Sequence, residues 1–196
     1  STVNGSTTGA ISVNAKAINV NAAMSGTSVT IKPTAVYGGT GVITASTGAV
    51  SISGGTSVAP TGAINAAGKI ILSGSGAIST ATGATLTSST DSVDIITSGG
   101  AVTLDKAVSA STSIGIALTG AYTGAGSLTA GTTIAISGGT GIAPTANFQA
   151  GGNIAMSGSG QGYFNGVRVN STSGSISLTS GPYAGHAVQI QNSTFS

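Results

Sequence analysis

The residues of this 196-residue sequence that could do chemistry are few and scattered. Its acidic residues are Asp91, Asp94 and Asp105, and there is no glutamate. Paired carboxylates can protonate a sugar oxygen or bind calcium when several acids gather in one groove. Three aspartates could barely furnish such a groove, and they fit solvated positions, Asp91 in a polar corner and Asp94 facing outward on a strand. We therefore predict that the chain is not an enzyme.

Histidine, cysteine and glycine give no stronger indication of a site. His186 is the single histidine, and an isolated imidazole makes a poor metal site. Cysteine is absent, which excludes both a disulfide framework and a thiolate metal site. The glycine-rich segments SGGTG and SGSG lack the lysine and the helix of a phosphate-binding loop. We predict no metal and no cofactor.

The tyrosines are the remaining candidates for a binding surface. They lie in or beside one of the apolar series described below, at Tyr37, Tyr122, Tyr163 and Tyr183. Their rings could form a partly exposed aromatic strip that stacks on sugars or packs against another filament. Alternatively, they fill a wider part of the core or cover one edge of it, and this second interpretation is favoured.

Charged residues make up only 4% of the chain, and the formal net charge is +2. A basic face able to bind nucleic acid or an anionic membrane is therefore not expected. The longest nearly apolar run, around residues 114–118, is far shorter than a membrane-spanning helix requires. The chain also has 33 glycines and 39% hydrophobic residues, which together indicate a buried core and a neutral surface rich in hydroxyl groups.

One stretch of the sequence occurs twice. Residues 52–76, ISGGTSVAPTGAINAAGKIILSGSG, return at residues 136–160 as ISGGTGIAPTANFQAGGNIAMSGSG, with 15 of 25 positions identical. Neither copy contains an acid, a histidine or a cysteine. The repeated unit is therefore structural rather than reactive.

A shorter period runs through the whole chain. Alternating apolar pairs, typical of β-strands, recur about every 21 residues from Ile11/Val13 through Val29/Ile31 to Ile176/Leu178. Two further apolar series keep the same step. One contains Val42, Ile64, Leu86, Val108, Leu128, Phe148, Val167 and Val188. The other contains Val36, Val58, Ile78, Val102, Tyr122, Ile142, Tyr163 and Tyr183.

Three apolar clusters in each period of this length indicate a solenoid with three short strands per coil. We predict an all-β, right-handed parallel β-helix of about nine coils of roughly 21 residues. Residues 1–196 are expected to form a single β-solenoid domain, which could be a segment of a longer rod. Residues 1–23 and 191–196 fit the period least well and are expected to be caps or junctions. The polar run TSSTDS suggests a small insertion at a corner around residues 88–91.

The segments GAINAAGKIILSGSG, GAVSISGG, GNIAMSGSG and GSISLTSG, in coils of about 20 residues, resemble the repeat region of filamentous haemagglutinin-like exoproteins. The resemblance covers residues 26–190. It implies a right-handed parallel β-helix, export by an outer-membrane partner of two-partner secretion, and a role in adhesion or biofilm matrix. The Asn-Pro motifs of that family's secretion domain are absent, so the chain would correspond only to the rod.

These observations favour a non-enzymatic structural or adhesive rod, secreted to a bacterial cell surface, which stacks coil on coil with copies of itself and contacts surface glycans. Two alternatives stay open. The first is a polysaccharide-processing β-helix enzyme that uses the three aspartates. The second is an ice- or glycan-binding solenoid, although the triplet Thr85-Leu86-Thr87 does not recur at the coil period as an ice-binding array requires.

Overall fold

A computed structural model describes residues 5–6, 8–80, 83–181 and 188–196 of the chain. The described residues form 26 β-strands and no helix. Every strand pairs in parallel with the equivalent strand one coil earlier or later, so the chain winds as a β-solenoid with three faces. The winding is consistent with the right-handed β-helix that the crossover rule favours.

The first face consists of β2 (Ile11–Asn19), β4 (Val29–Gly39), β6 (Val50–Ser53), β9 (Ile70–Gly74), β12 (Val93–Thr97), β15 (Ser113–Leu118), β18 (Thr133–Gly138), β21 (Ile154–Ser157) and β24 (Ile176–Thr179). The second face begins with the later halves of β2 and β4, which continue around the corner. It goes on with β7 (Ser57–Pro60), β10 (Ala77–Ser79), β13 (Val102–Thr103), β16 (Ala121–Gly124), β19 (Gly141–Pro144), β22 (Gln161–Asn165) and β25 (Val188–Gln191).

The third face has the shortest strands. They are β1 (Gly5–Ser6), β3 (Met24–Gly26), β5 (Ile43–Ala45), β8 (Ile64–Ala66), β11 (Leu86–Ser88), β14 (Val108–Ala110), β17 (Leu128–Ala130), β20 (Phe148–Ala150), β23 (Arg168–Ser171) and β26 (Thr194–Phe195). On the first face, about eight turns separate the nine described strands, which agrees with the predicted number of coils.

The inward side chains of the first face stack in two columns, as the alternating pairs predicted. Val29 pairs with Val50 and Ile31 with Ile52, and the same register continues to the last strand of the face. From β4 to β21 these side chains are at most 2% exposed. Because each column consists of Val, Ile, Leu and Met in van der Waals contact with the next coil, burial is continuous along the rod.

The predicted columns of the other two faces are wrong at a few positions. On the second face Tyr37, not Val36, pairs with the inward Val58, and Val36 is 42% exposed. On the third face the inward residue is Ile43, while Val42 is 40% exposed. In each case the predicted residue is adjacent in sequence to the one that points inward. A shift of one residue along a strand moves a side chain from the inner to the outer side of the sheet.

The end of the third-face series needs two further corrections. Phe148 pairs with Val169 rather than with Val167, although Val167 is also buried. Val188 pairs with Gly162 and therefore belongs to the second face. Tyr183, the last member of the second-face series, lies outside the described residues.

The corners are held by hydroxyl groups. Ser and Thr side chains donate hydrogen bonds to backbone carbonyl groups of the preceding coil, for example Ser75 Oγ to Gly55 at 3.1 Å and Ser159 Oγ to Gly139 at 2.9 Å. A carbonyl oxygen at a corner has no place in a strand ladder, and the hydroxyl group satisfies it locally. This role explains much of the serine and threonine content.

The two copies of the duplicated stretch adopt the same corner. Gly54 and Gly55 have φ angles of 111° and 78°, and Gly138 and Gly139 have φ angles of 83° and 81°. Only glycine adopts such angles without strain, which accounts for the two SGGT segments. The copies lie four coils apart, since Ile52, Leu72, Ile95, Ile116 and Ile136 are successive members of one column.

The predicted insertion around residues 88–91 is confirmed. Four residues separate the inward residues Ser88 and Val93, against three between Ala66 and Ile70 one coil earlier. Ser88 replaces the alanine found at this inward position in the two adjacent coils. Its buried hydroxyl group donates to the carbonyl group of Gly68 at 2.8 Å and accepts from the backbone N–H of Asp91 at 3.2 Å. The extra residue is thereby hydrogen-bonded inside the corner.

Replacing Gly76 by alanine should destabilise the rod by about 1–3 kcal/mol, the usual cost of overpacking. A Cβ atom on Gly76 would lie 1.9 Å from the carbonyl oxygen of Thr56 in the preceding coil. Gly162→Ala is the matched control, because its Cβ atom would meet no heavy atom closer than 3.4 Å, and it should change stability by less than about 1 kcal/mol. Chemical denaturation followed by circular dichroism measures both, and equal losses would contradict close coil contact at Gly76.

Candidate functional site

The three aspartates do not form one carboxylate cluster. Asp94 faces outward on β12, and its Oδ2 atom lies 2.5 Å from Nζ of Lys69 in the preceding coil. The Asp91 side chain accepts a hydrogen bond from the backbone N–H of Ser92 at 2.8 Å, within the corner that contains the insertion. Asp105 is exposed at a different corner, between β13 and β14. The sequence-based interpretation of Asp91 and Asp94 as corner and strand residues is confirmed.

The ion pair is the main electrostatic feature of the first face. The hydrogen bond from Lys69 to Asp94 raises the pKa of the Lys69 ammonium group, which therefore stays charged. Both side chains are partly exposed, and an exposed pair of this kind contributes little to stability. Among the described residues no group of three acids or histidines is placed to bind a metal ion. His186 lies outside the described residues.

Tyr37 and Tyr122 lie inside the rod, where they are 2% and 0% exposed. Both belong to the inward column of the second face, which Tyr122 joins by pairing with Val102 and Ile142. The Tyr122 ring also packs against Phe148 of the third face, with ring centroids 6.2 Å apart. These two tyrosines fill the core, as the favoured interpretation proposed.

The predicted surface aromatic strip is therefore wrong for Tyr37 and Tyr122. Tyr163 is partly exposed on the outer side of β22, where its hydroxyl group donates to Oε1 of Gln191 at 3.3 Å. Tyr183 lies outside the described residues. Tyr122 and Tyr163 occur at similar places in their coils but differ by one residue in register, so they point to opposite sides of the same face.

A row of polar side chains, which the sequence interpretation missed, runs along the outside of the third face. The row continues in register from Ser25 to Asn170, and we name its six central members the outer ladder: Thr44, Asn65, Thr87, Ser109, Thr129 and Gln149. Each member is paired in register with the next, so neighbouring members lie about 4.8 Å apart. Each follows the inward apolar residue of its strand, and this offset is the sequence signal that could have revealed the ladder.

The outer ladder differs from the corners in how its polar groups are used. Corner hydroxyl groups donate to carbonyl groups of the preceding coil, as Thr47 does to Thr27 and Ser46 to Gly26. The six side chains of the outer ladder make no hydrogen bond to any described residue. Their polar groups face the solvent outside the rod.

A shallow trough follows part of the outer ladder. It has a volume of about 260 Å³ and extends over three coils, from the ladder residues Thr44, Asn65 and Thr87 on one side to Ser46 and Ser89 at the adjacent corner. Ala67, which is half-buried, lies between these two rows, whereas the side chains of Ala45 and Ala66 point into the core, where they are 2% and 5% exposed. The trough thus combines free polar groups with a small apolar surface.

Two other concavities are open to solvent. One of about 560 Å³ follows a corner formed by residues 131–133, 151–153 and 172–174. The other, of about 200 Å³, lies on the first face beside Asp94, Ile96 and Ala135. The Asp94 carboxylate at its edge is already paired with Lys69. The outer ladder is therefore the candidate site with the most unpaired polar groups in register.

Thr85 and Thr87 do not extend into a regular threonine array. Thr87 lies between Asn65 and Ser109 in the outer ladder. In the two adjacent coils, the residues equivalent to Thr85 are Ala63 and Ala107. A flat lattice of threonine hydroxyl and methyl groups is thus not formed on this face.

No protein-family model, curated protein or solved structure matches this chain. The structure supports the resemblance to filamentous haemagglutinin-like repeats at the level of a parallel β-solenoid repeat protein. The part of the chain that the structure describes contains no helix long and apolar enough to cross a membrane.

Tyr122→Phe should raise the free energy of unfolding by about 1 kcal/mol. The Tyr122 hydroxyl group is buried and has no hydrogen-bond partner among the described residues, so removing it relieves an uncompensated desolvation cost. Tyr163→Phe is the control, because that hydroxyl group is exposed and its loss should change stability by less than about 0.5 kcal/mol. Urea denaturation measures both variants, and a destabilised Tyr122→Phe protein would contradict an unpaired hydroxyl group.

The rod should lose stability above about pH 10, the ordinary pKa of tyrosine in an unfolded chain. Burial raises the pKa of both Tyr37 and Tyr122, so these groups keep their protons in the folded state. Above the unfolded pKa the unfolded chain binds fewer protons than the folded chain, and stability falls as pH rises. Thermal midpoints measured from about pH 8 to about pH 11 should fall less for the Tyr37→Phe/Tyr122→Phe variant than for the wild type. Parallel curves would contradict this assignment.

Proposed function

We propose that this chain is a non-enzymatic structural or adhesive rod, secreted to a bacterial cell surface or its biofilm matrix. The observation that carries the proposal is the continuity of the core. The inward columns of the first face run in register through nine strands, without a break that would let one part of the rod move against another. A long stack of this kind is suited to holding two surfaces apart or presenting a repeated outer face.

The environment of the aspartates also supports a structural role. Asp94 is paired with Lys69, and Asp91 accepts a backbone hydrogen bond within a corner, so both carboxylates have local structural partners. General acids and bases need geometry that leaves the reacting oxygen free for substrate. We therefore propose the rod in preference to a polysaccharide-processing enzyme.

Stacking with a second copy is part of the proposal. Ile11 and Val13 on β2, and Ile176 and Leu178 on β24, are only partly buried. Both pairs belong to the same two inward columns of the first face. A coil placed against either strand, from another copy or from a longer chain, would continue these columns and pair the open strand edge. Export through an outer-membrane partner is part of the same proposal.

Display of the chain on a non-adherent laboratory bacterium tests the proposed function. Cells that display the wild-type chain should aggregate and attach to an abiotic surface more than cells that display none. Ile95→Asp places a charge in the core and should abolish both effects, whereas Ile96→Asp, one residue along the same strand and 47% exposed, should preserve them. Antibody staining of the cells verifies that the wild-type chain and both variants are displayed in equal amounts.

Two outcomes would contradict the rod. Wild-type display that changes neither aggregation nor attachment would remove the adhesive role. Equal activity of Ile95→Asp and wild type, with Ile95→Asp shown to be unfolded by circular dichroism, would show that attachment does not need the solenoid.

A further inference from the structure

Asn165 and Gly166 form an asparagine–glycine pair at the corner that follows β22. We propose that this pair is a self-modifying site, in which Asn165 deamidates spontaneously and the docking of β25 and β26 sets the rate. The inference goes beyond the proposed adhesive function and does not depend on it. It is carried by the exposure of the pair and by the hydrogen bonds that hold its backbone.

The reaction needs only water. The backbone nitrogen of Gly166 loses its proton and attacks Cγ of Asn165, a C–N bond forms, and the side-chain amide group leaves as ammonia. Water then opens the resulting five-membered succinimide ring at either of its two carbonyl groups. One opening leaves aspartate at position 165, and the other leaves isoaspartate, whose main chain contains one additional carbon atom.

The sequence around Asn165 favours this reaction. Among the described asparagines, it is the only one that precedes glycine, and glycine hinders the attacking nitrogen least because it has no Cβ atom. Asn165 is exposed, and its side chain makes no hydrogen bond to any described residue. A Cβ atom on Gly166 would meet nothing within 4 Å, so solvent reaches the peptide between the two residues. The other Asn-Gly pair of the sequence is residues 4–5, and Asn4 lies outside the described residues.

The attacking nitrogen is held by the coil that follows it. The Gly166 N–H group donates to the carbonyl group of Gln191 at 3.0 Å, and Ser193 Oγ donates to the same carbonyl group at 2.9 Å. The next amide, that of Val167, donates to Ser193 Oγ at 3.0 Å. At the corner one coil earlier, the Thr145 N–H group donates instead to the preceding coil. Local opening of β25 and β26 would therefore free the nitrogen of Gly166 for attack.

Isoaspartate would loosen the coil that had been docked. Asn165 pairs with Gln191 and Arg168 with Thr194, so three residues lead from one pair to the next in both coils. An additional backbone carbon between positions 165 and 168 makes the two lengths unequal, and both pairs cannot then stay in register. Because ammonia is lost, the chain cannot return to asparagine, and the loosening is irreversible.

Mass spectrometry of tryptic peptides, taken from the purified chain during incubation at neutral pH, tests the site. Cleavage after Lys106 and Arg168 yields residues 107–168, separate from residues 1–16. Position 165 should acquire aspartate and isoaspartate slowly in the folded chain and faster in urea, where no docked coil holds the nitrogen. Asn165→Gln should show almost no modification there, because glutamine would have to form a six-membered ring.

Two serine variants test the control by the docked coil. Ser193→Ala removes the hydroxyl group that bonds to Gln191 and Val167, and it should raise the rate in the folded chain about fivefold, the effect of one lost hydrogen bond on a local opening. Ser196→Ala is the matched control, because its hydroxyl group contacts Asn170 instead, and it should leave the rate unchanged. In urea the wild-type chain and both variants should deamidate equally.

Amide hydrogen exchange measures the consequence for the rod. Exchange within residues 188–196 should become faster as the wild-type chain ages, and it should stay slow in the Asn165→Gln chain. Asn165→Asp adds the charge without the additional carbon atom and should also keep exchange slow. Fast exchange in Asn165→Asp would overturn the argument from register.

Three other results would overturn the site itself. The first is deamidation at position 165 that is no faster than at the other described asparagines. The second is an equal rate in the folded chain and in urea. The third is an equal rate in the two serine variants, which would show that the hydrogen bonds of Ser193 do not protect the nitrogen of Gly166.

Discussion

Register between successive coils is the constraint on which the rest of this structure depends. Backbone N–H and C=O groups can be satisfied only if each strand meets its equivalent one coil away, so the chain must return to the same position after about 20 residues. The inward columns, the corner hydroxyl bonds and the close packing at Gly76 all follow from that return. A side chain therefore has to suit the coils before and after it as well as its own strand.

The sequence was sufficient to predict which side chains of the first face point inward, and it was less reliable for the other two faces. Pairs such as Val29/Ile31 show strict alternation between polar neighbours, so both period and inward side could be predicted. Val42 and Ile43 are adjacent apolar residues, and alternation alone does not decide which one points inward. In the structure Ile43 is in register with the inward residues Met24 and Ile64 of the adjacent coils, and a local pattern does not contain that pairing.

The candidate site shows the same division between local and long-range information. The aspartates could be assigned from their polar surroundings, and Asp91 indeed caps a corner. The tyrosines could not, because Tyr122 and Tyr163 differ by one residue in register and thereby in exposure. The outer ladder was missed because threonine, asparagine, serine and glutamine look unrelated in sequence. They become one surface only when the strands are aligned.

The duplicated stretch has a consequence for how such a protein can change length. Its two copies are separated by four complete coils, so both place equivalent positions on the same face of the rod. Recombination between the two copies would delete or add four coils without rotating anything beyond the junction. At about 4.8 Å per coil, the reach of the protein would change by about 19 Å in a single genetic event, while every face stays aligned.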